Sequence, residues 1–201
     1  IREFPFGQDA VFSPEGFIER FNFDLCNDLG NLLNRTIGMI NKYFEGNIPK
    51  YEGKITEFDE PLEQETIEHI KKVEEYMDTY HINNALEEIW KVISRTNKYI
   101  DETMPWTLAK EEKTKELSSV MYHLVENLRK IAIMLKPIIT NTANEIIRQL
   151  GINNEKLISY DGIEKYDLLS EEYKVIEKGE PLFVRLDADV ETEYIREKMK
   201  G

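Results

Sequence analysis

One cysteine, three histidines and two tryptophans are all that 201 residues offer of these types. The single thiol, Cys26, can neither close an internal disulfide nor build a cysteine metal cluster, so a reducing compartment is the expectation. His69, His81 and His123 fall on separate segments with no second ligand at metal spacing. No metal site is expected, and each histidine reads as a solvated or satisfied side chain. Basic residues are also scarce, 26 against 39 acidic ones, for a net charge of −13. On its face that sign argues against a nucleic-acid partner and favours solubility. No apolar run approaches the roughly 20 residues of a membrane span, and no signal-peptide pattern opens the chain, so the expectation is a cytoplasmic protein without a membrane partner. Neither G-x-G-x-x-G nor G-x-x-x-x-G-K-[ST] is present to cradle a phosphate, and no G-x-S-x-G marks a nucleophile. Acidic runs such as Glu57 to Glu65, and Glu74, Glu75 and Asp78, read as the solvated outer faces of helices.

Helical periodicity is what the chain has in quantity. Ser13 before Pro14 is an N-cap with proline at the first helical position, which predicts a short helix over about 14 to 22. Leu25, Leu29, Leu32, Leu33, Ile37, Ile40 and Phe44 then recur at three- and four-residue spacing, predicting a long helix over about 24 to 44. Further apolar stripes predict helices over about 61 to 80, from a cap at Asn83 to just before Pro105, over about 111 to 135 as far as Pro137, and over about 138 to 150 with Gly151 in the C′ position. Trp90 falls near the apolar side of its helix and is expected in the core, whereas Trp106 follows a Met-Pro break among charged residues. Short connections make successive helices antiparallel neighbours. The fold class is therefore all-α, an up-and-down bundle of about five main helices. Beyond Gly151 the tail holds a short apolar stretch, Leu182 to Leu186, and a polar helix over about 189 to 200. It could return along the bundle or belong to a neighbouring domain.

Two polar patterns remain. Asn27, Asn31, Arg35 and Lys42 recur on or near one face of the first long helix, opposite its leucines. An adjacent amide and guanidinium can hydrogen-bond the edges of unpaired bases, although a solvated helix face explains them as well. Lys91, Arg95 and Lys98 form a basic stripe at i, i+4 and i+7 that can follow a phosphate backbone, and exposed-helix electrostatics accounts for it equally.

"FNFDLCNDLGNLLNRTIGMINKYFEGNIP" and "ALEEIWKVISRTNKYIDETMPWTLAK" together closely resemble the anticodon-binding helical domain of bacterial methionyl-tRNA synthetases, a class I family. The resemblance covers about residues 10 to 150, with the two segments in matching order and spacing. It implies that Asn31, Arg35, Pro105 and Trp106 meet the anticodon loop, and that Asn97 and Asp101 lie on the anticodon side. Lys91, Arg95 and Lys98 are the candidates for phosphate contact. Trp106 would be a rigid stacking surface fixed by the preceding proline, or else a plug under the loop.

The resemblance also divides the chain. Residues 1–23 look like the connector leaving a catalytic domain, 24–150 the bundle, and 151–201 a tail returning toward that domain. A chain opening on "IREFPFG" reads as an excised piece. The H-I-G-H and K-M-S-K-S motifs of the family are absent, so the resemblance implies that catalysis, with its ATP and Mg²⁺, would belong to a parent methionine-tRNA ligase, and this fragment is expected to be inactive alone. The implied partners are a tRNA anticodon loop bearing CAU and the catalytic domain of the same polypeptide. Two other readings stay open: the anticodon-binding domain of another class I synthetase, and a protein-interaction bundle without RNA function. If there is one RNA site, Asn31, Arg35 and Trp106 should converge on one end of the bundle with Trp106 substantially exposed.

Overall fold

The computed structural model describes residue 2 and residues 11–200; the remainder of the opening segment lies outside the described residues. The Ser13 hydroxyl accepts the Gly16 N–H at 3.1 Å and Pro14 opens α1 (Pro14–Arg20), as the sequence predicts. One unbroken rod follows. α1 passes into a π-helical stretch (Phe21–Gly30) and then α2 (Asn31–Phe44), with right-handed helical dihedrals at both junctions. The expected separation between residues 22 and 24 is absent. Neither Pro nor Gly interrupts residues 19–24, and the wider i to i+5 turns of the π stretch carry the backbone through.

α3 (Asp59–Asp78), α4 (Ile82–Thr103), α5 (Pro105–Lys110), α6 (Thr114–Leu135) and α7 (Thr140–Gln149) complete the bundle. Asn83, expected as a cap, lies inside the first turn of α4, where His81 holds the N-cap position without a side-chain bond. α6 starts at Thr114 rather than at about 111, because residues 105–110 form a helix of their own. Gly151 sits at φ +70 after α7, and a Cβ there would stand 1.9 Å from the Lys174 carbonyl oxygen. Only glycine fits both the left-handed conformation and that close approach.

α6 is the axis of the core, buried along nearly its whole length. Its Leu124, Val125, Leu128 and Ile131 belong to one cluster with Leu29, Leu33 and Ile37 of the long rod and Ile89 and Ile93 of α4. Each such side chain contributes on the order of 1.5 to 3 kcal/mol by leaving water. Trp90 joins the same cluster with 6% of its surface exposed, as expected.

The core also contains a polar seam, and here the expected solvated face of Glu57 to Glu65 fails: Asp59 and Glu63 of that run are buried, held by hydrogen bonds from the core side chains Tyr99, Ser119 and His123. Asp59 accepts hydrogen bonds from the N–H groups of Ile55 and Thr56 at 2.8 and 2.9 Å, and from the hydroxyls of Tyr99 and Ser119, both at 2.6 Å. Burial pushes this carboxyl up, but the bonds from Ser119, Thr56 and Tyr99 outweigh it and hold Asp59 below the usual range. Fully buried His123 is satisfied by the Ser119 carbonyl and by Glu63, 2.7 and 2.9 Å away. His69 and His81 also have partners, Glu88 and the Thr79 hydroxyl.

The tail returns along the bundle. Lys130, pushed down to about 8 chiefly by burial, donates to the carbonyls of Ile163 and Lys165. Tyr166 donates to Asn127 at 2.6 Å, and the Ile48 and Val175 amides bond across to the Tyr173 and Gly46 carbonyls. Ile163, Leu169 and Val175 are buried in the core cluster. Residues 182–186 form no strand; Phe183 there packs edge-on against Phe21 with ring centroids 5.7 Å apart. The terminal helix, α8 (Ala188–Met199), is capped by Asp187, contacts α1 and has no buried residue. Among the described residues no helix is long and apolar enough to cross a membrane.

Candidate nucleic-acid interface

α2 and α4 lie side by side along the face that carries the expected site residues. The Asn97 amide on α4 donates to the Asp28 carbonyl at 3.2 Å, fixing one helix to the other. Farther along, the Arg35 guanidinium pairs with Asp101 at 3.1 Å. Both contacts advance in the same chain direction, so α2 and α4 run toward the same end of the bundle. Asn31 stands one turn before Arg35, exposed, and its side chain has no hydrogen-bond partner among the described residues.

Trp106 is placed at that end by an abrupt junction. α4 stops at Thr103, and Met104 takes a left-handed conformation at φ 43, unusual for a non-glycine residue, while its N–H still bonds the Ile100 carbonyl at 3.0 Å. The Met104 carbonyl then accepts the N–H groups of Thr107 and Leu108 at 2.8 and 3.2 Å. A single residue thus ends one helix and starts the next. Pro105, which the sequence suggested as a plain break, occupies the first position of α5 and is buried. Proline suits that position because its missing N–H has no helical acceptor and its φ is already helical. Leu108 and Ala109 pack against the core, whereas Trp106 projects with 48% of its surface exposed and Met104 with 45%. A plug would be covered, so the exposure argues against that role. Trp106 lies five residues beyond Asp101, the partner of Arg35. Trp106 thus follows directly on the end of α4 at which Asp101 pairs with Arg35.

The basic stripe is less free than its spacing suggests. Lys91 pairs with Glu88 at 2.6 Å, Arg95 with Glu65 and Glu102 at 3.0 and 2.9 Å, and Lys98 with Glu102 at 3.2 Å. Glu88 is buried and Arg95 mostly so. The three cations line an open groove with Arg2, His69 and Trp90. Alternating carboxylates nearly balance their charge, so any phosphate drawn there must displace an existing partner.

The electrostatics of the Arg35–Asp101 pair differ. Its side chains are 33% and 67% exposed, and a pair of that kind is worth about 0 to 1 kcal/mol. Hydrogen bonds from a guanidinium to base edges are worth roughly 1.5 to 3 kcal/mol. Exchange is therefore favourable when a base offers good geometry and unfavourable when it does not. Asp101 aims Arg35 without tying it down.

The family model for the anticodon-binding domain of methionyl tRNA ligase matches residues 48–201. The chain belongs to that family. The methionine–tRNA ligase of Listeria innocua is 54% identical over 202 residues, covering 100% of this chain and 30% of that protein. The Bacillus subtilis ligase is 52% identical with the same coverage. Among solved structures, free-state methionyl-tRNA synthetase from Mycobacterium tuberculosis matches with a TM-score of 0.81 at 28% identity, over 92% of this chain and 37% of that one. The chain thus spans about 30% of the length of its curated relatives.

Part of the surface had no signal in the sequence. The Asn22 amide grips the Leu186 backbone on both sides, donating to its carbonyl at 2.9 Å and accepting its N–H at 2.8 Å. Asn27 accepts a hydrogen bond from Arg185 at 3.1 Å. These partners lie 164 and 158 residues apart in the chain, so no local pattern could have joined them.

Proposed function

We propose that this anticodon-binding domain reads the CAU anticodon loop of methionine tRNA. Trp106 stacks on one splayed base and Arg35 and Asn31 hydrogen-bond base edges. Pro105 acts by fixing the indole, and Asn97 and Asp101 border the bases. Lys98, with Lys91 and Arg95 behind it, meets backbone phosphate. The observation that carries this reading is the half-exposed Trp106 just beyond the end of α4, where Asp101 holds Arg35. The parent protein would be a cytoplasmic ligase that joins methionine to its tRNA with ATP and Mg²⁺ in a catalytic domain of the same polypeptide, toward which the tail and α8 return. This chain has neither of the family's catalytic motifs; recognition is its contribution. Titration of the chain at low salt with an isolated anticodon stem-loop bearing CAU, against the same stem-loop with an altered anticodon, tests the proposal. Tighter binding of CAU supports it. Equal binding of both loops contradicts base reading, and salt-insensitive protein binding without RNA affinity would favour a protein-interaction bundle.

A further inference from the structure

Methionine is an unfavourable choice for position 104 on folding grounds alone. Its φ of 43 lies in the left-handed region, where a Cβ is crowded against the backbone and glycine or asparagine serves better. The turn asks nothing of the side chain: the Met104 N–H bonds the Ile100 carbonyl, and the Met104 carbonyl accepts from the amides of Thr107 and Leu108. Nor does burial account for a large apolar group here, since 45% of it is exposed.

Burial alternates across this junction. Thr103 and Pro105 are buried, whereas Met104 and Trp106 are exposed. The two inward residues anchor the chain, and the two outward ones stand on either side of Pro105 with Cα atoms no more than about 7 Å apart. A thioether and an indole therefore share one outward surface just past Asp101, close enough for both to touch one planar group. Among the described residues, one other large apolar side chain is both left-handed and exposed: Tyr80, at φ 61 and 80% exposed. It precedes α4, whose 22 residues put it on the order of 33 Å from Met104. An exposed apolar residue under strain does not by itself mark a site; the indole beside Met104 does.

We infer that Met104 is a second contact for the anticodon base that Trp106 receives, its thioether closing the seat at the edge of that base. The inference rests on the anticodon reading proposed above and deepens it. Methionine suits such a place because its unbranched side chain adapts to what it meets and its polarizable sulfur packs well against the edge of an aromatic ring. The contact carries no charge. It adds affinity without salt dependence, and only where a base is already seated on the indole.

The test uses the full 201-residue chain and a CAU stem-loop titrated at several salt concentrations, beside a thermal melt of each variant. Met104→Gly removes the side chain and the strain together, so the two readouts should move apart. Affinity should fall about two- to tenfold at every salt concentration, while the melting temperature stays at the wild-type value or rises by up to about 4 °C. Met104→Asn, which tolerates the left-handed conformation without the freedom of glycine, should lose as much affinity, and Met104→Leu should keep most of it. In a Trp106→Ala background Met104→Gly should cost little more, because the base is no longer held where the thioether can meet it. Wild-type affinity in Met104→Gly, with Trp106→Ala still weakened, would overturn this inference alone. A loss in Met104→Gly that Met104→Asn does not share would overturn it by tracing the effect to backbone freedom, and losses that add in the double variant would overturn it by separating the two contacts. Absence of binding by the wild-type chain would overturn both readings.

Discussion

Arg35 on α2 and Asp101 on α4 meet at 3.1 Å across two helices that run toward the same end of the bundle, where α5 presents Trp106. The pair holds a guanidinium in place at little energetic cost and sets a negative charge beside the site. Removing either member should therefore affect RNA selection more than folding.

Asp101→Ala frees Arg35 and removes a charge that repels phosphate. Stem-loops with altered anticodons should bind more tightly, narrowing their gap from CAU, while stability changes by less than about 1 kcal/mol. Paired titrations and a thermal melt check both. An unchanged gap between the two loops would show that Asp101 has no part in selection.

Lys98 and Lys91 separate phosphate contact from structural pairing. Lys98→Ala should weaken all RNAs alike and leave the melting temperature near the wild-type value. Lys91→Ala strips one of two partners from buried Glu88 and should lose about 1 to 2 kcal/mol of stability, whatever its effect on RNA. Equal melting temperatures for the two variants would contradict the structural role of Lys91.

Acid should loosen the polar seam. Burial pushes Asp59 and Glu63 up, but hydrogen bonds, from Ser119, Thr56 and Tyr99 to the first and from His123 and Tyr51 to the second, outweigh it and leave both below their ordinary values of 3.8 and 4.5. The folded state thus binds fewer protons than the unfolded chain at these two sites. Their contribution is present above the ordinary values and lost as pH falls through the depressed ones. Melting temperature should decline as pH drops below about 4.5, and Asp59→Asn should flatten that decline. An identical slope in the variant would remove Asp59 from the account.

Much of this architecture was legible from spacing. The leucines of α2 and the apolar stripe of α6 gave helices in the right places because amphipathic period and burial coincide there. The π stretch was not legible: the local signals at Ser13–Pro14 mark where a helix starts, and nothing in residues 19–24 distinguishes a junction from a widened turn. α5 was missed because Pro105 reads equally as a stop or as a first helical residue, and the left-handed Met104 that decides between them has no sequence mark. At the candidate site, Asn31, Arg35 and Trp106 were visible as residue types, but the Arg35–Asp101 pair depends on a contact between distant segments.

Gly151→Ala tests how the tail is secured. A Cβ there would collide with the Lys174 carbonyl, 1.9 Å away, in a conformation that already disfavours alanine. The variant should melt earlier by several degrees and expose residues beyond 151 to proteolysis before the bundle itself is cut. Wild-type melting and cleavage would mean that the tail is not held at this point.

The central claim is that Trp106 is a stacking surface, and Trp106→Ala measures it most directly through CAU stem-loop affinity and thermal stability on the same preparation. Stacking of a base on an indole is worth roughly 1 to 3 kcal/mol, so affinity should fall about five- to 150-fold. Stability should barely move, because the side chain is half exposed, whereas truncating a buried plug would cost about 3 to 5 kcal/mol. Weakened binding with an unchanged melt is the predicted result. Unchanged binding by a stably folded variant, where the wild-type chain binds, would contradict it.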